Sequence, residues 1–481
     1  MHTFVTKTIK MNQKPSIFHT DDTICALATV AGVSAIAAVR ISGRKAFIIA
    51  NKILKIKKKD FDIRTVSTHT VHYGSVVIYS EWLDDVVVNF YRSPRSYTGE
   101  DSVEIFCHGS LYIQQKLLEG LIDNGCRLAQ RGEFTLRAFL NGKLDLLQAE
   151  AVADLISANS KTAHDLALKQ LKGGFSRKID DLRRQLLKFT SLIELELDFS
   201  EEDVEFADRT QLLALIQSIE KEIKTLLDSF TVGNVLKKGI PVAIVGKPNV
   251  GKSTLLNLLL NEDRAIVSAI PGTTRDAIED TITIKDITFR FIDTAGLREA
   301  DDEIENMGIE KTIEKIRQAY IVLYVFDISE TTTEELNESL DEIEALCEND
   351  NKKIILIGNK SDKLIEIPHT FRKLVEKETI FISAKRRENI NLITEKLIDT
   401  VSEAQIDNSE TVVSNARHYE ALKKANDIIN DIILLIPQHT SHELLAADLR
   451  RALHYLGEIT GVQISNENVL EEIFSSFCIG K

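Results

Sequence analysis

The sequence predicts a multidomain chain of mixed α+β and α/β class: an N-terminal α+β domain, an α-helical bundle, and an α/β domain with a mainly parallel sheet inserted into that bundle. Three observations carry this. Gly246-Lys247-Pro248-Asn249-Val250-Gly251-Lys252-Ser253 has the spacing of a phosphate-cradling loop, and it stands between a strand-like apolar run at 241–245 and a helix-like run at 254–260. Apolar residues recur at helical spacing on both sides of the α/β segment. Short apolar runs ended by small residues fill the first hundred residues. A length of 481 residues suits three domains.

Residues 1–20 hold Lys7, Lys10 and Lys14 but no acid, no arginine and no apolar core. That composition suits neither a transit peptide nor a secretory signal, and the stretch reads as a disordered extension, with Met11 as an alternative start. Strand-like runs follow at 23–29, 36–43, 70–78 and 85–90, and a helix at 110–121 sets Leu111, Leu117, Leu118 and Leu121 on one side. Residues 21–140 therefore read as one α+β domain. From 141 to 234 the pattern is helical. Leu182, Leu186, Phe189, Ile193 and Leu197 form one apolar stripe, and no proline occurs between Pro94 and Pro241.

Residues 235–404 form the α/β domain. The glycines of its loop let the backbone aim N–H groups at phosphate oxygens, and the next helix adds the partial positive charge of its N-terminus. Lys252 is expected to reach the β- and γ-phosphates, and Ser253, followed by Thr254, to bind Mg²⁺. Four further motifs follow in order: Pro271-Gly272-Thr273-Thr274-Arg275-Asp276, Asp293-Thr294-Ala295-Gly296, Asn359-Lys360-Ser361-Asp362 and Ser383-Ala384-Lys385. They resemble the switch I, switch II, guanine-reading and final base-contact motifs of GTPases, which makes this a Ras-like P-loop GTPase domain. The last three end strand-like runs at 288–292, 354–358 and 380–382, where open α/β sheets bind ligands. Asp362 can accept two hydrogen bonds from the guanine edge that adenine cannot supply, which selects GTP over ATP.

The acidic polar stretch 402–410 reads as a link out of this domain. Helical patterns return at 415–435 and 441–459, so residues 405–481 complete the bundle. The GTPase domain is then an insertion whose termini lie close together. The chain ends Phe474-Ser475-Ser476-Phe477-Cys478-Ile479-Gly480-Lys481, too apolar for a fraying tail. Gly480 and Lys481 do not fit a prenylation signal at Cys478, which is either a placed thiol or a small structural hydrophobe.

Composition limits the function classes. Apolar content of 43% and charged content of 27% are those of a globular protein with sizeable cores. A net charge of −14 argues against a surface that coats nucleic acid, while leaving room for a local basic patch. Cys25, Cys107, Cys126, Cys347 and Cys478 are scattered without a Cys-x-x-Cys pair. This suits a reducing, cytoplasmic setting and indicates neither a disulfide framework nor a zinc site. No apolar run approaches the ~20 residues that span a membrane.

Beyond the GTPase motifs, five segments and the chain's end carry a closer resemblance. They are Asp22-Thr23-Ile24, Arg40-Ile41-Ser42-Gly43, Tyr97-Thr98-Gly99-Glu100-Asp101, Arg131-Gly132-Glu133-Phe134-Thr135, the run from Arg137 to Leu146, and the final Cys478-Ile479-Gly480-Lys481. Together they resemble the MnmE (TrmE) family of tRNA uridine-5-carboxymethylaminomethyl modification GTPases, over nearly the whole chain from Asp22. The following points are what that resemblance implies. The family acts with a flavoprotein, MnmG (GidA), in a heterotetramer. The pair installs a carboxymethylaminomethyl or aminomethyl-type group at carbon 5 of the wobble uridine of certain tRNAs. The N-terminal domain forms a homodimer and holds a tetrahydrofolate one-carbon donor, in the 5-formyl or methylene form. Arg40, Glu100, Lys143 and Lys481 match the folate pocket, and Cys478 the tail thiol that faces the transfer chemistry. The chain departs from the family pattern at 30–36 and at Ser110, where a second glycine is expected, and Arg386-Arg387-Glu388-Asn389 lacks the glycines frequent after the last guanine motif.

The hydrolytic machinery departs from Ras-like enzymes. Leu297 occupies the place of their water-orienting Gln, and leucine neither donates nor accepts a hydrogen bond. Arg275 and Arg298 are arginine-finger candidates, each with a structural reading too. The resemblance implies instead that K⁺ supplies the charge, held by Asn249 and by Ser268, Ile270 and Thr273 of Ser268-Ala269-Ile270-Pro271-Gly272-Thr273. Thr274 is then the switch I ligand to Mg²⁺, and Glu305 the catalytic residue that orients the attacking water through a second water.

Two other readings stand beside this one: a GTPase acting in ribosome assembly, and a folate-binding transfer protein whose GTPase is a regulatory appendage. The ribosome-assembly relatives carry a C-terminal KH domain with Gly-x-x-Gly, and no such motif follows here. The basic run 52–59 also has two readings, a tRNA contact or a solvated helix end and loop, the commoner source of such a run.

Overall fold

The computed structural model describes residues 21–198, 209–261, 280–292, 308–347, 352–364, 379–403, 412–438, 442–462, 470, 473–475 and 477–481. The chain divides into two compact units, residues 1–153 with 457–481, and residues 154–456.

The first unit contains, in chain order, β1 (Ile24–Leu27), β2 (Ser34–Ser42), α1 (Ala46–Ile53), β3 (Leu54–Ile56), β4 (Thr70–Ile78), β5 (Glu81–Tyr91), β6 (Ser102–Gly109), α2 (Leu111–Asp123), β7 (Arg127–Leu128), α3 (Glu133–Leu140) and the start of α4 (Leu146–Ser157). Its strands form one sheet in the order β3-β4-β5-β6-β2-β1-β7, antiparallel except between β1 and β7. Register follows from alternation: Val86, Val88 and Phe90 of β5 enter the core, while Asp85, Val87 and Asn89 lie on the other face. α1 and α2 cover the inner face, adding Phe47, Ile49, Ile53, Leu117 and Leu121 to that core. Each fully buried side chain of this size is worth ~1.5–3 kcal/mol. The outer face is partly open, with Val71, Tyr73 and Val87 exposed. A second cluster joins Leu136 of α3, Leu146 and Ala149 of α4, and Leu470, Phe474 and Phe477 of the chain's end.

The second unit contains α5 (Lys161–Leu171), α6 (Gly174–Asp198), α7 (Arg209–Lys238), β8 (Ile240–Val245), α8 (Lys252–Leu260), β9 (Asp280–Ile284), β10 (Ile287–Phe291), α9 (Gly308–Gln318), β11 (Ile321–Asp327), α10 (Thr333–Cys347), β12 (Lys353–Asn359), β13 (Thr379–Phe381), α11 (Ile390–Glu403), α12 (Ala416–Leu435) and α13 (His442–Thr460). Its sheet runs β13-β12-β11-β8-β10-β9, with β9 alone antiparallel. β11 is buried at every position, as a parallel strand covered on both faces requires. Helices from both sides of this α/β segment pack together. Phe230 of α7 stacks on Tyr419 of α12 with ring centroids 4.4 Å apart, Val413 N donates to Ser229 Oγ at 3.1 Å, and Gln170 of α5 donates to Ser414 Oγ at 3.0 Å.

Several elements differ in detail from the sequence reading. The continuous helical stretch expected from 141 breaks between α5 and α6, where Gly173 takes φ 76°. In α6 Leu182, Leu186 and Ile193 are fully buried as the stripe requires, Phe189 is half-buried, and the side chain of Leu197 lies outside the described residues. β3 falls inside the basic run read as a helix end and loop; three residues are too few for a period-2 signal. Among the described residues no helix is long and apolar enough to cross a membrane.

Candidate functional site

The second unit gathers its chemistry at the carboxyl ends of β8, β11, β12 and β13. After Val245 the chain turns through Gly246, Asn249 at φ 60° and Gly251 at φ 97° into α8. Both glycines are demanded by close approach. A Cβ on Gly246 would lie 2.0 Å from Val325 O, and one on Gly251 would lie 2.3 Å from Asn359 Nδ2. Val250 is buried between them, and Ser253 and Thr254 occupy the first turn of α8, at its positive end. Lys252 folds over the loop, donating from Nζ to Gly246 O at 2.8 Å and to Lys247 O at 2.7 Å. Burial lowers its pKa, and the charge of Lys315 adds to that. A partly desolvated ammonium resting on neutral carbonyls favours an incoming anion.

Asn359, buried at the end of β12, ties three segments together. Its Nδ2 donates to Val250 O at 2.7 Å, and its Oδ1 accepts from Lys360 N at 2.8 Å and Ala384 N at 3.0 Å. Ser383 Oγ donates to Asp362 Oδ1 at 2.7 Å and holds that carboxyl below its usual range, so it stays an acceptor at neutral pH. Lys385 follows on the exposed turn. Lys360, at φ 64°, pairs through Nζ with Asp327 Oδ2 at 2.7 Å. Burial would raise the Asp327 carboxyl, but Lys360 and the Ser329 hydroxyl and N–H outweigh it and hold it at about 2. The sequence reading missed Asp327; its signal was the acid that ends the apolar run 321–326. Ser268, Ala269, Ile270, Pro271, Gly272, Thr273, Thr274, Arg275, Asp293, Thr294, Ala295, Gly296, Leu297, Arg298 and Glu305 lie outside the described residues.

In the first unit a second cluster forms where β1, β2 and β6 meet the chain's end. Arg40 of β2 stands in register with Glu104 of β6 and donates from Nε at 3.0 Å to Glu104 Oε1, which its Nη2 reaches at 2.9 Å. Its guanidinium lies 5.3 Å from the Tyr97 ring centroid and 5.6 Å from that of Phe134, and Nη1 is 3.5 Å from Gly480 O. Lys481 is half-buried beside it; burial, then the charge of Arg40, lowers its pKa. The tail is seated by backbone bonds from Gly132 N to Cys478 O at 3.4 Å and from Phe134 N to Lys481 O at 3.2 Å. Cys478 is exposed and is a free thiol.

Glu100 has different partners from Arg40. It accepts from Ser42 Oγ at 2.8 Å, and Arg137 Nη1 lies 3.2 Å from both its oxygens. Arg137 is 1% exposed and also donates to Asp22 O at 2.8 Å and Glu133 Oε1 at 3.0 Å. Glu133 is held in turn by Arg127, which pairs with Asp22 at 2.7 Å. Lys143 reaches Pro94 O at 3.1 Å, over the loop that carries Glu100. The structure therefore brings Arg40 and Lys481 together, sets Glu100 against Arg137, and places Lys143 on the turn after α3, reaching across to the loop that carries Glu100. Glu104 and the buried Arg137–Glu133–Arg127 network were not singled out from sequence. The signal for Glu104 was available in the alternation of β6, which sets it on the face of Arg40.

Two family models match the chain: one described as GTP-binding protein TrmE N-terminus, over residues 23–143, and one described as MnmE helical domain, over residues 146–478. The tRNA modification GTPase MnmE of Flavobacterium psychrophilum is 51% identical over 467 residues, covering 97% of this chain and 100% of the relative. That of Flavobacterium johnsoniae is 52% identical over 466 residues, with 96% and 99% covered. That of Bacteroides thetaiotaomicron is 49% identical over 467 residues, also with 96% and 99% covered.

Proposed function

The chain belongs to the MnmE family of tRNA modification GTPases, and on that premise we propose that it hydrolyses GTP in a K⁺-activated manner and, with the flavoprotein MnmG, modifies carbon 5 of the wobble uridine of certain tRNAs. The observation that carries the GTPase reading is the convergence of Lys252, Asn359 and the Ser383–Asp362 pair around one glycine-shaped loop. Asp362, kept ionised by Ser383, accepts the guanine N–H groups. Asn359 braces the phosphate loop against the base-reading turn. Lys252 exchanges its two loop carbonyls for phosphate oxygens.

The donor set fits the implied ions. Ser253, at the start of α8, and Thr274 offer hydroxyls for Mg²⁺, and Asn249, Ser268, Ile270 and Thr273 offer neutral oxygens for K⁺. When bound, K⁺ supplies the positive charge that an arginine finger provides elsewhere, and Glu305 orients the attacking water. In the first unit the half-buried cations Arg40 and Lys481 suit the carboxylates of a tetrahydrofolate donor, and Glu100 and Lys143 complete the proposed folate set. Cys478 lies on the tail beside it. The open outer face, with Val71, Tyr73 and Val87 exposed, supports a homodimer formed through this domain. The division into residues 21–140, 141–234, 235–404 and 405–481 belongs to this reading.

Mass spectrometry of tRNA nucleosides from a deletion strain tests it. Loss of the modified wobble uridine, restored by the wild-type gene and not by one lacking residues 478–481, is the expected result. Intact wobble uridines with unbalanced ribosomal subunits would turn the assignment to ribosome assembly. Hydrolysis in K⁺, Na⁺ and no monovalent salt at fixed ionic strength tests the ion. K⁺ should stimulate wild type well above Na⁺, Asn249→Ala should lose the stimulation, and Glu305→Ala should lose turnover with nearly unchanged GTP affinity.

A further inference from the structure

We propose that the β3 edge of the first unit is a phosphate-contacting surface for RNA, with Lys55, Lys58 and Lys59 as its contacts; this rests on reading the chain as a tRNA-modifying enzyme. The chain carries a net charge of −14, yet residues 52–59 hold Lys52, Lys55, Lys57, Lys58 and Lys59 and no acid. The structure shows where those charges go. α1 passes directly into β3, the edge strand of the sheet, which pairs with β4 through Lys55 opposite Ser75. The last ladder bond runs from Lys57 N to Tyr73 O at 2.9 Å, and the chain then turns.

Of the acids nearby, Asp60 is exposed and forms no ion pair among the described residues, and two others are already engaged. Asp85 accepts from Ser75 Oγ, from Tyr73 OH and, at 2.9 Å, from Lys57 Nζ, and Asp62 pairs with Arg64. Lys57 is thus neutralised, and it lies 4.7 Å from the Tyr73 ring centroid. Lys55, Lys58 and Lys59 are exposed and form no ion pair among the described residues. Burial lowers the pKa of His72, and the charge of Lys58 lowers it further. Lysines on edge strands also prevent unwanted strand pairing. That accounts for Lys55; Lys58 and Lys59 lie beyond the ladder and have no edge to guard.

The geometry favours RNA over an anionic membrane. Surface-binding segments set apolar anchors beside their cations. Here the turn is all polar, the next aromatic, Phe61, packs on the core, and the exposed Tyr73 and Trp82 of the neighbouring strands are tied by their polar atoms to Asp85. β3 is four strand positions from β2, which carries Arg40. At ~4.8 Å per strand this is ~19 Å.

The test is fluorescence anisotropy of labelled, unmodified tRNA with the full-length protein between 50 and 200 mM KCl (roughly the range over which salt slopes are read). Lys55→Glu/Lys58→Glu/Lys59→Glu should lower affinity about tenfold or more at the low-salt end and reduce the salt slope by about 2, at ~0.7–0.9 per lost contact. The matching Lys→Gln variant should fall between the two. Urea unfolding followed by Trp82 should be unchanged, which shows that the first unit of each variant is folded, and basal GTP hydrolysis should be unchanged as well. Lys221→Glu/Lys224→Glu on α7 should leave binding as it was. Undiminished binding by the β3 variant, or an equal loss in the α7 variant, overturns the inference, as does the absence of tRNA binding by the wild type. So does binding to phosphatidylserine vesicles that the β3 variant loses while keeping tRNA. The modification reading has its own readout: normal wobble uridines in the deletion strain remove it and this inference together.

Discussion

Lys252 in the second unit and Arg137 in the first are both drawn out of water, but they are held in opposite ways. Lys252 rests on two carbonyls of its own loop, Gly246 O and Lys247 O. Arg137 is locked by Glu100, Glu133 and the Asp22 carbonyl, from segments scattered along the first unit. The first arrangement is a local backbone device with a movable cation, suited to exchanging neutral carbonyls for an anionic ligand. The second is a buried ion network that cannot release its cation without stranding two carboxylates. One site is built to exchange partners, and the other to hold a platform still beneath Arg40 and the chain's end.

That contrast is broken most severely at Arg137. Arg137→Met should destabilise the first unit by ~3–5 kcal/mol, because it leaves Glu133 and Glu100 partly unpaired. Urea unfolding followed by Trp82, the chain's single tryptophan, reads this unit, and GTP hydrolysis should survive in urea-free buffer. A loss below ~1 kcal/mol would show that the network is solvated rather than structural.

Gly251→Ala probes the other side. The substituted Cβ would meet Asn359 Nδ2, and φ 97° is costly for any side chain. GTP affinity, measured with a fluorescent analogue, should drop roughly a hundredfold, or ~2.7 kcal/mol. Stability of the first unit should be untouched. An affinity within twofold of wild type would mean that the loop adapts and is not a preset cradle.

A smaller effect is expected at the tail. Gly480 takes φ 93°, and a Cβ there would lie 2.2 Å from Leu27 O. Gly480→Ala should weaken docking by ~1–2 kcal/mol, the cost of a left-handed conformation. Carboxypeptidase B should then release Lys481 about five- to thirtyfold faster. An unchanged release rate would show that the last residues are not seated by this contact.

The smallest effect belongs to Asp327. Its carboxyl is held at about 2, below the ordinary value, so its contribution is present above the unfolded pKa and is lost as pH falls from about 4 toward 2. Asp327→Asn should cost ~1 kcal/mol near neutral pH, less than the ~2.4 kcal/mol of the full shift, because Lys360 is part-exposed and asparagine keeps an oxygen for the Ser329 donors. The difference from wild type, read by far-UV circular dichroism in urea, should close as the pH approaches the folded value. A constant difference across that range would assign the effect to packing instead of charge.

How legible each site was follows from the same contrast. The phosphate loop, the guanine-reading acid and Asn359 could be read because each is a short contiguous motif at the end of an apolar strand, and its geometry is imposed by backbone sterics. Asp327 was missed because one acid after a strand has no spacing to announce it. In the first unit Arg40 and Lys481 were identified through resemblance alone, while Glu104 was passed over and Arg137, which heads one of the segments that carry the resemblance, was given no role.

By itself, the sequence determined the local conformations: glycines where φ turns positive, β-branched and aromatic runs where strands form, and apolar stripes where helices bury a face. Periodicity says which face a residue takes but not which partner it meets there. Only the tertiary structure decided that Arg40 pairs with Glu104, that Arg137 joins Asp22 and Glu100, and that Gly480 seats against Leu27. Those choices depend on sheet order and on closing loops of tens to hundreds of residues. Closing a longer loop costs only slowly more entropy, so chain separation hardly restricts which partners meet, and the packed core selects among them.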